Sequence, residues 1–431
     1  MTMNDTPHDV PARGPTRPTE RVVVLDVLRG FAILGILMVN APLFFVPLWA
    51  DVVGGATGGT LDRAASLATE ALAEGKFFTL FSLLFGVGAA MQMRRAQERG
   101  RRFEPFFLRR LAILALIGAA HAFLLWWGDI LLYYAVLGLT LVPFARAPAR
   151  RAVRWAVAAA ALPLFVNAAL FGLTSLAAFD DQAAEALAAD TAARVAEAEA
   201  GSAAALAAYG GSDLGAMIAV RFEEWSFATT GLLLNGMVFL IVAMFLLGVA
   251  AGKARVLEDL ARHAATLRRA RFVGFLFGIP ATVLWLTARP PDVFTFDAGT
   301  LASTLGFVVG APCLSIAYAA SLALATRDPA WRRRLAPLAA LGRVALSAYL
   351  MQSLVMTILA LGYGGGLYGS VGHAGATALA VTLLIVQVPL AGWWTRRFRF
   401  GPAEWVWRTL AYGRPQPMRL PAGDVAHDAR A

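Results

Sequence analysis

The chain has 431 residues, of which 58% are hydrophobic and only 15% are charged, and its formal net charge is +10. A soluble domain is roughly 45–50% apolar and 25% charged, so the composition excludes an ordinary soluble protein. The apolar residues form runs of about 20, long enough to cross a bilayer as helices, without the alternation of β-barrel strands. We therefore predict an all-α, polytopic bundle of transmembrane helices.

Ten membrane spans are predicted, and the loops between them alternate between basic loops and loops that are acidic or short. With the N-terminus in the cytoplasm, all but five of the 38 lysines and arginines lie on the cytoplasmic side, as the positive-inside rule requires. Both termini are then cytoplasmic, and the positive charge indicates orientation in a lipid bilayer rather than binding to nucleic acid. The predicted spans are residues 28–47, 77–93, 111–127, 130–144, 153–173, 227–252, 272–288, 301–325, 335–361 and 376–394.

The spans group into two membrane halves of five helices each. Residues 28–175 form the first half and residues 227–413 the second, between an N-terminal tail (residues 1–27) and a C-terminal tail (residues 414–431). The alanine-rich, acidic segment 176–226 between the halves is predicted to lie outside the membrane as one or two surface helices. The first apolar run is too long for the core of a signal peptide, so we interpret it as an uncleaved anchor.

Three polar residues mark the beginning and the interior of the first span. Asp26 and Arg29 are three positions apart at its cytoplasmic entrance, hence on one helix face, which suits an ion pair that anchors the helix end. The functional alternative is that Arg29 faces a cytoplasmic pocket and binds a phosphate or carboxylate. Asn40 lies about 16 Å further along the helix, where it either holds helices together or contacts an active site.

His121 is the one histidine of five with an apolar run on both sides, and Asp129 follows it at a predicted turn. A neutral histidine that bonds across helices is the simpler interpretation. An ionisable residue within a span is costly, however, and is therefore a functional candidate. In that role His121 is a general base that removes a proton from a hydroxyl or an amine, with Asp129 as its orienting partner.

Several other kinds of chemistry lack support in the sequence. Cys313 is the single cysteine, so the chain has no disulfide or redox pair of its own. The other histidines (His8, His263, His373 and His427) show no metal-binding spacing, and no metal site is expected. Motifs for nucleotide hydrolysis, dinucleotide binding and a GxSxG serine nucleophile are absent.

A group of polar side chains enters the ninth predicted span just after its cytoplasmic edge. Such a group predicts either a wet cavity or a polar contact between helices. Its members are Arg343, Ser347, Tyr349, Gln352 and Ser353.

Five segments together resemble the YeiB-like family of bacterial inner-membrane proteins. They follow the family's order through nearly the whole chain, and the C-terminal half is similar to the domain of unknown function that defines the family. The resemblance implies a location in the bacterial inner membrane. The segments are LDVLRGFAILGILMVN (25–40), KFFTLFSLLFGVG (76–88), RRLAILALIGAAH…WWGDILLYYAVLG (109–138), GRVALSAYLMQS (342–353) and FRFGPAEWVWRTLAYG (398–413).

The resemblance further implies a relation to transmembrane acyltransferases, which include the acyltransferase-three proteins and the lysosomal heparan-glucosaminide acetyltransferase. These enzymes move an acyl group from cytoplasmic acyl-CoA to a sugar across the membrane, using an intramembrane histidine. Acyl-CoA is then the expected donor, with Arg29 and Asn40 as its contacts. One departure is that the acyltransferase-three opening has a histidine where this chain has Asn40, so His121 is assigned from this sequence alone.

We therefore expect an acyl-CoA-dependent O- or N-acyltransferase with His121 and Asp129 as catalytic residues. Its acceptor would be an exterior hydroxyl or amine of a small molecule or glycan, such as an envelope sugar. The main alternative is a secondary transporter or permease in which His121 and Asp129 form a proton or substrate site. A third class, a non-catalytic membrane partner of an envelope assembly, is compatible with the same sequence.

Overall fold

The computed structural model describes residues 22–52, 58–177, 179–290 and 294–420, and most of both predicted tails, with His8 and His427, lies outside them. The described residues are helical apart from short connections and an isolated bridge between Phe398 and Arg419. The helices are α1 (Val23–Asn40), α2 (Leu48–Val52), α3 (Thr60–Leu72), α4 (Lys76–Glu98), α5 (Glu104–Ala120), α6 (Leu131–Leu137), α7 (Ala149–Ala177), α8 (Asp181–Gly210), α9 (Leu214–Leu234), α10 (Val238–Lys253), α11 (Ala264–Thr287), α12 (Ala298–Ala325), α13 (Pro329–Arg334), α14 (Ala336–Arg343), α15 (Ala345–Ala360), α16 (His373–Thr395) and α17 (Pro402–Tyr412). Two 3₁₀ segments (Pro42–Phe44 and Gly138–Phe144) and a π-helical turn (His121–Leu125) complete the elements.

Length and hydropathy identify the protein as a helical membrane protein. Two helix pairs, α9 with α10 and α14 with α15, are apolar enough to span only when taken together, which gives up to nine spans among the described residues. The apolar segment Leu131–Phe144 is shorter, so a tenth span there stays a prediction, as does the cytoplasmic location of the termini. The seven continuous candidates are Val23–Asn40, Thr60–Glu98, Glu104–Leu125, Ala149–Ala177, Ala264–Thr287, Ala298–Ala325 and His373–Thr395.

Both paired spans are sharply bent, whereas the sequence predicted continuous helices over residues 227–252 and 335–361. The bend is 70° between α9 and α10, where Gly236 has a φ of +70°, a conformation that favours glycine. The bend is 82° between α14 and α15, on either side of Val344. There Glu404 accepts hydrogen bonds from the first free N–H groups of α15, so a side chain replaces the helical partners lost at the break.

Glycines allow the closest helix contacts in the bundle. A Cβ atom on Gly86 of α4 would lie 2.0 Å from the Phe245 carbonyl oxygen of α10, and one on Gly248 of α10 would lie 2.0 Å from the Leu83 carbonyl oxygen of α4. Helices α1 and α14 meet in the same reciprocal way, through Gly30 and Gly342 (discussed below). Because backbones touch directly at these positions, the helices have one close packing arrangement.

The predicted surface segment 176–226 contains α8 and most of α9. Helix α9 begins after Asp213, whose carboxylate accepts hydrogen bonds from two N–H groups of its first turn, and it continues past residue 226. Arg221 and Glu224 of α9 are buried, and the Tyr209 hydroxyl of α8 donates a 2.6 Å hydrogen bond to Glu224. One face of this part of α9 therefore packs into the protein interior, while the opposite face is exposed.

Candidate functional site

His121 lies at the point where helix α5 ends. The π-helical turn His121–Leu125 follows directly, and Trp126 after it has an extended backbone, which turns the chain back towards α6. Single π-helical turns occur frequently at functional sites because they widen the helix and redirect its side chains. The turn thus brings His121 to face residues that follow it by only a few positions.

Asp129 is the partner that this turn brings to His121. The distance between His121 Nδ1 and Asp129 Oδ1 is 2.9 Å, and both side chains are almost fully buried. The other carboxylate oxygen, Oδ2, accepts a 2.6 Å hydrogen bond from the Leu132 N–H in the first turn of α6. An ionised Asp129 accepts from the Nδ1–H of His121, and in the neutral imidazole this arrangement leaves Nε2 as the acceptor nitrogen.

The Nε2 atom of His121 is buried and has no hydrogen-bond partner among the described residues. A buried polar atom usually has a protein or water partner, so an exception needs an explanation. The pair therefore has the form of a general base: a carboxylate fixes one ring nitrogen, and the other is available to a ligand.

Side chains from both bent spans hold the turn that carries His121. The Arg221 guanidinium of α9 donates a 3.0 Å hydrogen bond to the Leu124 carbonyl, and the Thr357 hydroxyl of α15 donates a 3.3 Å bond to the Leu125 carbonyl. A helix end leaves such carbonyls without intrahelical partners, and here buried side chains supply them. This support could not be predicted, because Arg221 belongs to the segment 176–226 that was expected to lie outside the membrane.

Tyr349 of α15 packs directly on His121, with 4.9 Å between the ring centroids. Tyr349 is one of the polar residues expected to enter the ninth span, and no sequence pattern associated it with His121. Its position depends on the 82° bend before α15, which no sequence pattern predicted.

A basic cavity of about 820 Å³ opens at the end of the bundle where α1 and α5 begin. Ten arginines line it, against the two acidic residues Asp26 and Glu404. Arg29 is among the ten and forms a 3.1 Å ion pair with Asp26, so the anchoring pair and the pocket-facing arginine of the sequence analysis are both present. The chemistry of this lining suits a ligand with several negative charges, such as a group of phosphates.

Glu404 lies in the wall of the basic cavity and is half-buried. Burial raises the pKa of the Glu404 carboxyl above its ordinary value, although hydrogen bonds from Ser347 and Leu346 favour the charged form. Its contacts with the start of α15 link the wall of the cavity to the helix that carries Tyr349.

A second cavity, of about 760 Å³, lies at the opposite end of the bundle. We call it the opposite cavity. Asn40 and Asp129 both line it, with Tyr133 and several tryptophans. Two glutamates are also in its wall, and one of them, Glu70, pairs with Arg289 at 3.4 Å. The lining combines aromatic faces with carboxylates and amides, which suits a polar organic molecule rather than a polyphosphate.

The structure thus divides the four predicted site residues between three places. Arg29 is in the basic cavity, Asn40 and Asp129 are in the opposite cavity, and His121 lines neither. Along α1 the basic cavity ends at Arg29 and the opposite cavity begins at Ile36, about 10 Å away. His121 contacts Asp129 in the wall of the opposite cavity, and Tyr349 packs on His121.

Comparisons with known proteins place this architecture in a family. Residues 251–414 match the family described as "Protein of unknown function (DUF418)". The chain is 33% identical to the uncharacterized protein YxaH of Bacillus subtilis (strain 168), over 94% of this chain and 97% of that protein. It is 29% identical to the uncharacterized protein YeiB of Escherichia coli (strain K12), over 91% and 96%. No solved structure matches the chain.

Proposed function

We propose that this protein, which belongs to the YeiB-like family of membrane proteins with a DUF418 domain, is a transmembrane acyltransferase. It would move an acyl group from acyl-CoA in the basic cavity to a hydroxyl or amine in the opposite cavity. The observation that carries the proposal is the buried His121–Asp129 pair, in which Nε2 has no hydrogen-bond partner among the described residues and Asp129 lines the opposite cavity.

In the proposed reaction, Nε2 of His121 takes the proton of the acceptor hydroxyl or amine as the acceptor atom attacks the thioester carbonyl carbon. The carbonyl π electrons move to oxygen and form a tetrahedral intermediate. When this collapses, the C–S bond breaks and the CoA thiolate takes the proton from the imidazolium. Asp129 stabilises the positive imidazolium in between, and it holds the ring so that Nε2 receives the proton.

The basic cavity is the donor side of this scheme. The phosphates of CoA provide the negative charges that its arginines would bind, and Arg29 is the contact that the sequence analysis named. Asn40 is about 16 Å from Arg29 along α1 and lines the opposite cavity. A single ligand that contacts both residues must be long, as a CoA thioester is, and Asn40 would then contact its acyl end.

Binding of acetyl-CoA and longer acyl-CoAs to the purified protein tests the donor site. We expect saturable binding that Arg29→Ala weakens about 10- to 100-fold, because a charge-assisted hydrogen bond contributes about 1.5–3 kcal/mol. Binding to His121→Ala should be unchanged, since His121 lines neither cavity. Arg268→Ala is the matched control, because this exposed arginine of α11 also lies outside both cavities. A folded wild-type protein that binds no acyl-CoA would contradict the proposal.

A secondary transporter is the second candidate, and the two bent spans favour it. Transporters often bind substrates where broken helices leave free helix ends near the membrane midplane. The breaks of 70° and 82° lie in spans that contact the His121 turn, so His121 and Asp129 would serve as a proton relay. Uptake of solute into vesicles driven by a pH gradient, without binding of acyl-CoA, would favour the transporter.

A further inference from the structure

The Tyr349 hydroxyl is exceptional among the buried tyrosines of the described chain. The Tyr134 hydroxyl donates to the Phe78 carbonyl at 2.8 Å, and the Tyr209 hydroxyl donates to Glu224 at 2.6 Å. The proton of the Tyr349 hydroxyl has no acceptor among the described residues, although the side chain is only 4% exposed. A buried tyrosine hydroxyl normally finds a partner, so the missing acceptor points to a ligand.

The neighbourhood of this hydroxyl identifies the kind of ligand. The Tyr349 ring packs on His121 at 4.9 Å between centroids, and neither the Tyr349 hydroxyl nor His121 Nε2 has the other as a hydrogen-bond partner. The hydroxyl lies near the Ile130 N–H and Asp129, and its proton is without an acceptor in the same buried neighbourhood as the unpartnered Nε2 atom. A reacting carbonyl group needs both, a base for the attacking atom and a donor for the oxygen that becomes negative.

The position of Tyr349 is also firmly held. Glu404 fixes the start of α15, and the Gln387 amide of α16 donates a 2.9 Å hydrogen bond to the Ala348 carbonyl, next to Tyr349. Gln352, one turn further along α15, donates to the Gln387 side chain at 2.6 Å. A donor whose direction is set before the substrate binds needs little rearrangement in the transition state, which is the condition for effective oxyanion stabilisation.

We propose that Tyr349 is a catalytic residue of the acyl transfer and donates a hydrogen bond to the thioester carbonyl oxygen as it becomes an oxyanion. This inference rests on the proposed function. The phenol proton stays on Tyr349 throughout: the hydrogen bond strengthens when the acceptor attacks and weakens when the C–S bond breaks. Tyr349 belongs to the matched region 251–414 and His121 does not, so the two halves of the chain would complete one active site.

The test uses the full-length protein in detergent, with acetyl-CoA as donor and hydroxylamine as a small amine acceptor, and measures acetohydroxamate. Tyr349→Phe keeps the ring that packs on His121 and removes only the hydroxyl. We expect kcat to fall about 100- to 1,000-fold, the loss typical of a missing oxyanion donor, with KM for acetyl-CoA nearly unchanged. Tyr134→Phe is the matched control, because it removes a buried hydroxyl that already has its partners.

The possible outcomes separate this inference from the proposed function. A large fall in kcat for Tyr349→Phe at unchanged thermal stability, with Tyr134→Phe near wild-type kcat, supports it. Full kcat in Tyr349→Phe, together with loss of turnover in His121→Ala, overturns the role of Tyr349 and leaves the acyltransferase proposal intact. A wild-type protein that forms no acetohydroxamate above the His121→Ala background contradicts acyl transfer and the role of Tyr349 with it.

Discussion

Replacing Asp129 with asparagine is expected to lower acetyl transfer from acetyl-CoA to hydroxylamine by about 1,000-fold or more. Asp129 accepts two hydrogen bonds at once: Oδ1 accepts from the His121 Nδ1–H, and Oδ2 accepts from the Leu132 N–H. Asparagine has one acceptor oxygen and one donor group, so it satisfies only one of them. The backbone N–H is fixed, so the amide oxygen turns to Leu132 and the amide N–H₂ faces the ring.

His121 must then accept at Nδ1 and hold its proton on Nε2, the tautomer that is unable to act as the base. The neutral amide also loses the charge that stabilises the imidazolium. Asp62→Asn is the matched control, because the Asp62 carboxylate accepts a 2.8 Å hydrogen bond from the Ala374 N–H near the start of α16 and lines neither cavity. Turnover of Asp129→Asn within tenfold of wild type would show that the pair does not act as proposed.

Substituting Gly342 with alanine is expected to destabilise the protein by more than about 3 kcal/mol or to prevent its folding. A Cβ atom at Gly342 would lie 1.8 Å from the Asp26 carbonyl oxygen, and one at Gly30 would lie 1.9 Å from the Leu338 carbonyl oxygen. The obstacles are backbone atoms of α1 and α14, which no side-chain rotation moves. Both helices must therefore separate, and they form part of the wall of the basic cavity.

Thermal unfolding in detergent measures this effect, with Gly172→Ala as the matched control. Gly172 is also a helical glycine, but a Cβ atom there meets nothing within 4 Å. Alanine at position 172 should be neutral or stabilising by up to about 1 kcal/mol, because it has the higher helix propensity. An unfolding temperature of Gly342→Ala equal to that of wild type would contradict the α1–α14 contact.

The sequence was sufficient to predict those features that depend on residues close together in the chain. Apolar runs identified the helical membrane protein. Arg29 and Asn40 were expected to contact one donor molecule, and they line two different cavities.

Features that depend on the direction of the backbone could not be predicted from the sequence. His121 and Asp129 are eight positions apart, which is about 12 Å along a continuous helix, so their contact requires the π-helical turn and the extended Trp126. The two bent spans were missed for the same reason, since a single Gly236 is a weak signal for a break and Val344 gives no such signal. Tyr349 could not be assigned to His121 without the second of these bends.

The thinness of the dividing layer has an electrical consequence. A membrane's hydrocarbon core is about 30 Å thick, but between the two cavities only about 10 Å of protein separates the sides along α1. If water fills both cavities, most of the transmembrane voltage falls across this layer, and an acyl transfer through the layer would form the imidazolium of His121 within the field. Moving one elementary charge through 100 mV changes its energy by about 2.3 kcal/mol. Turnover in vesicles should therefore depend on an imposed voltage, and a rate independent of it would mean that His121 lies outside the field.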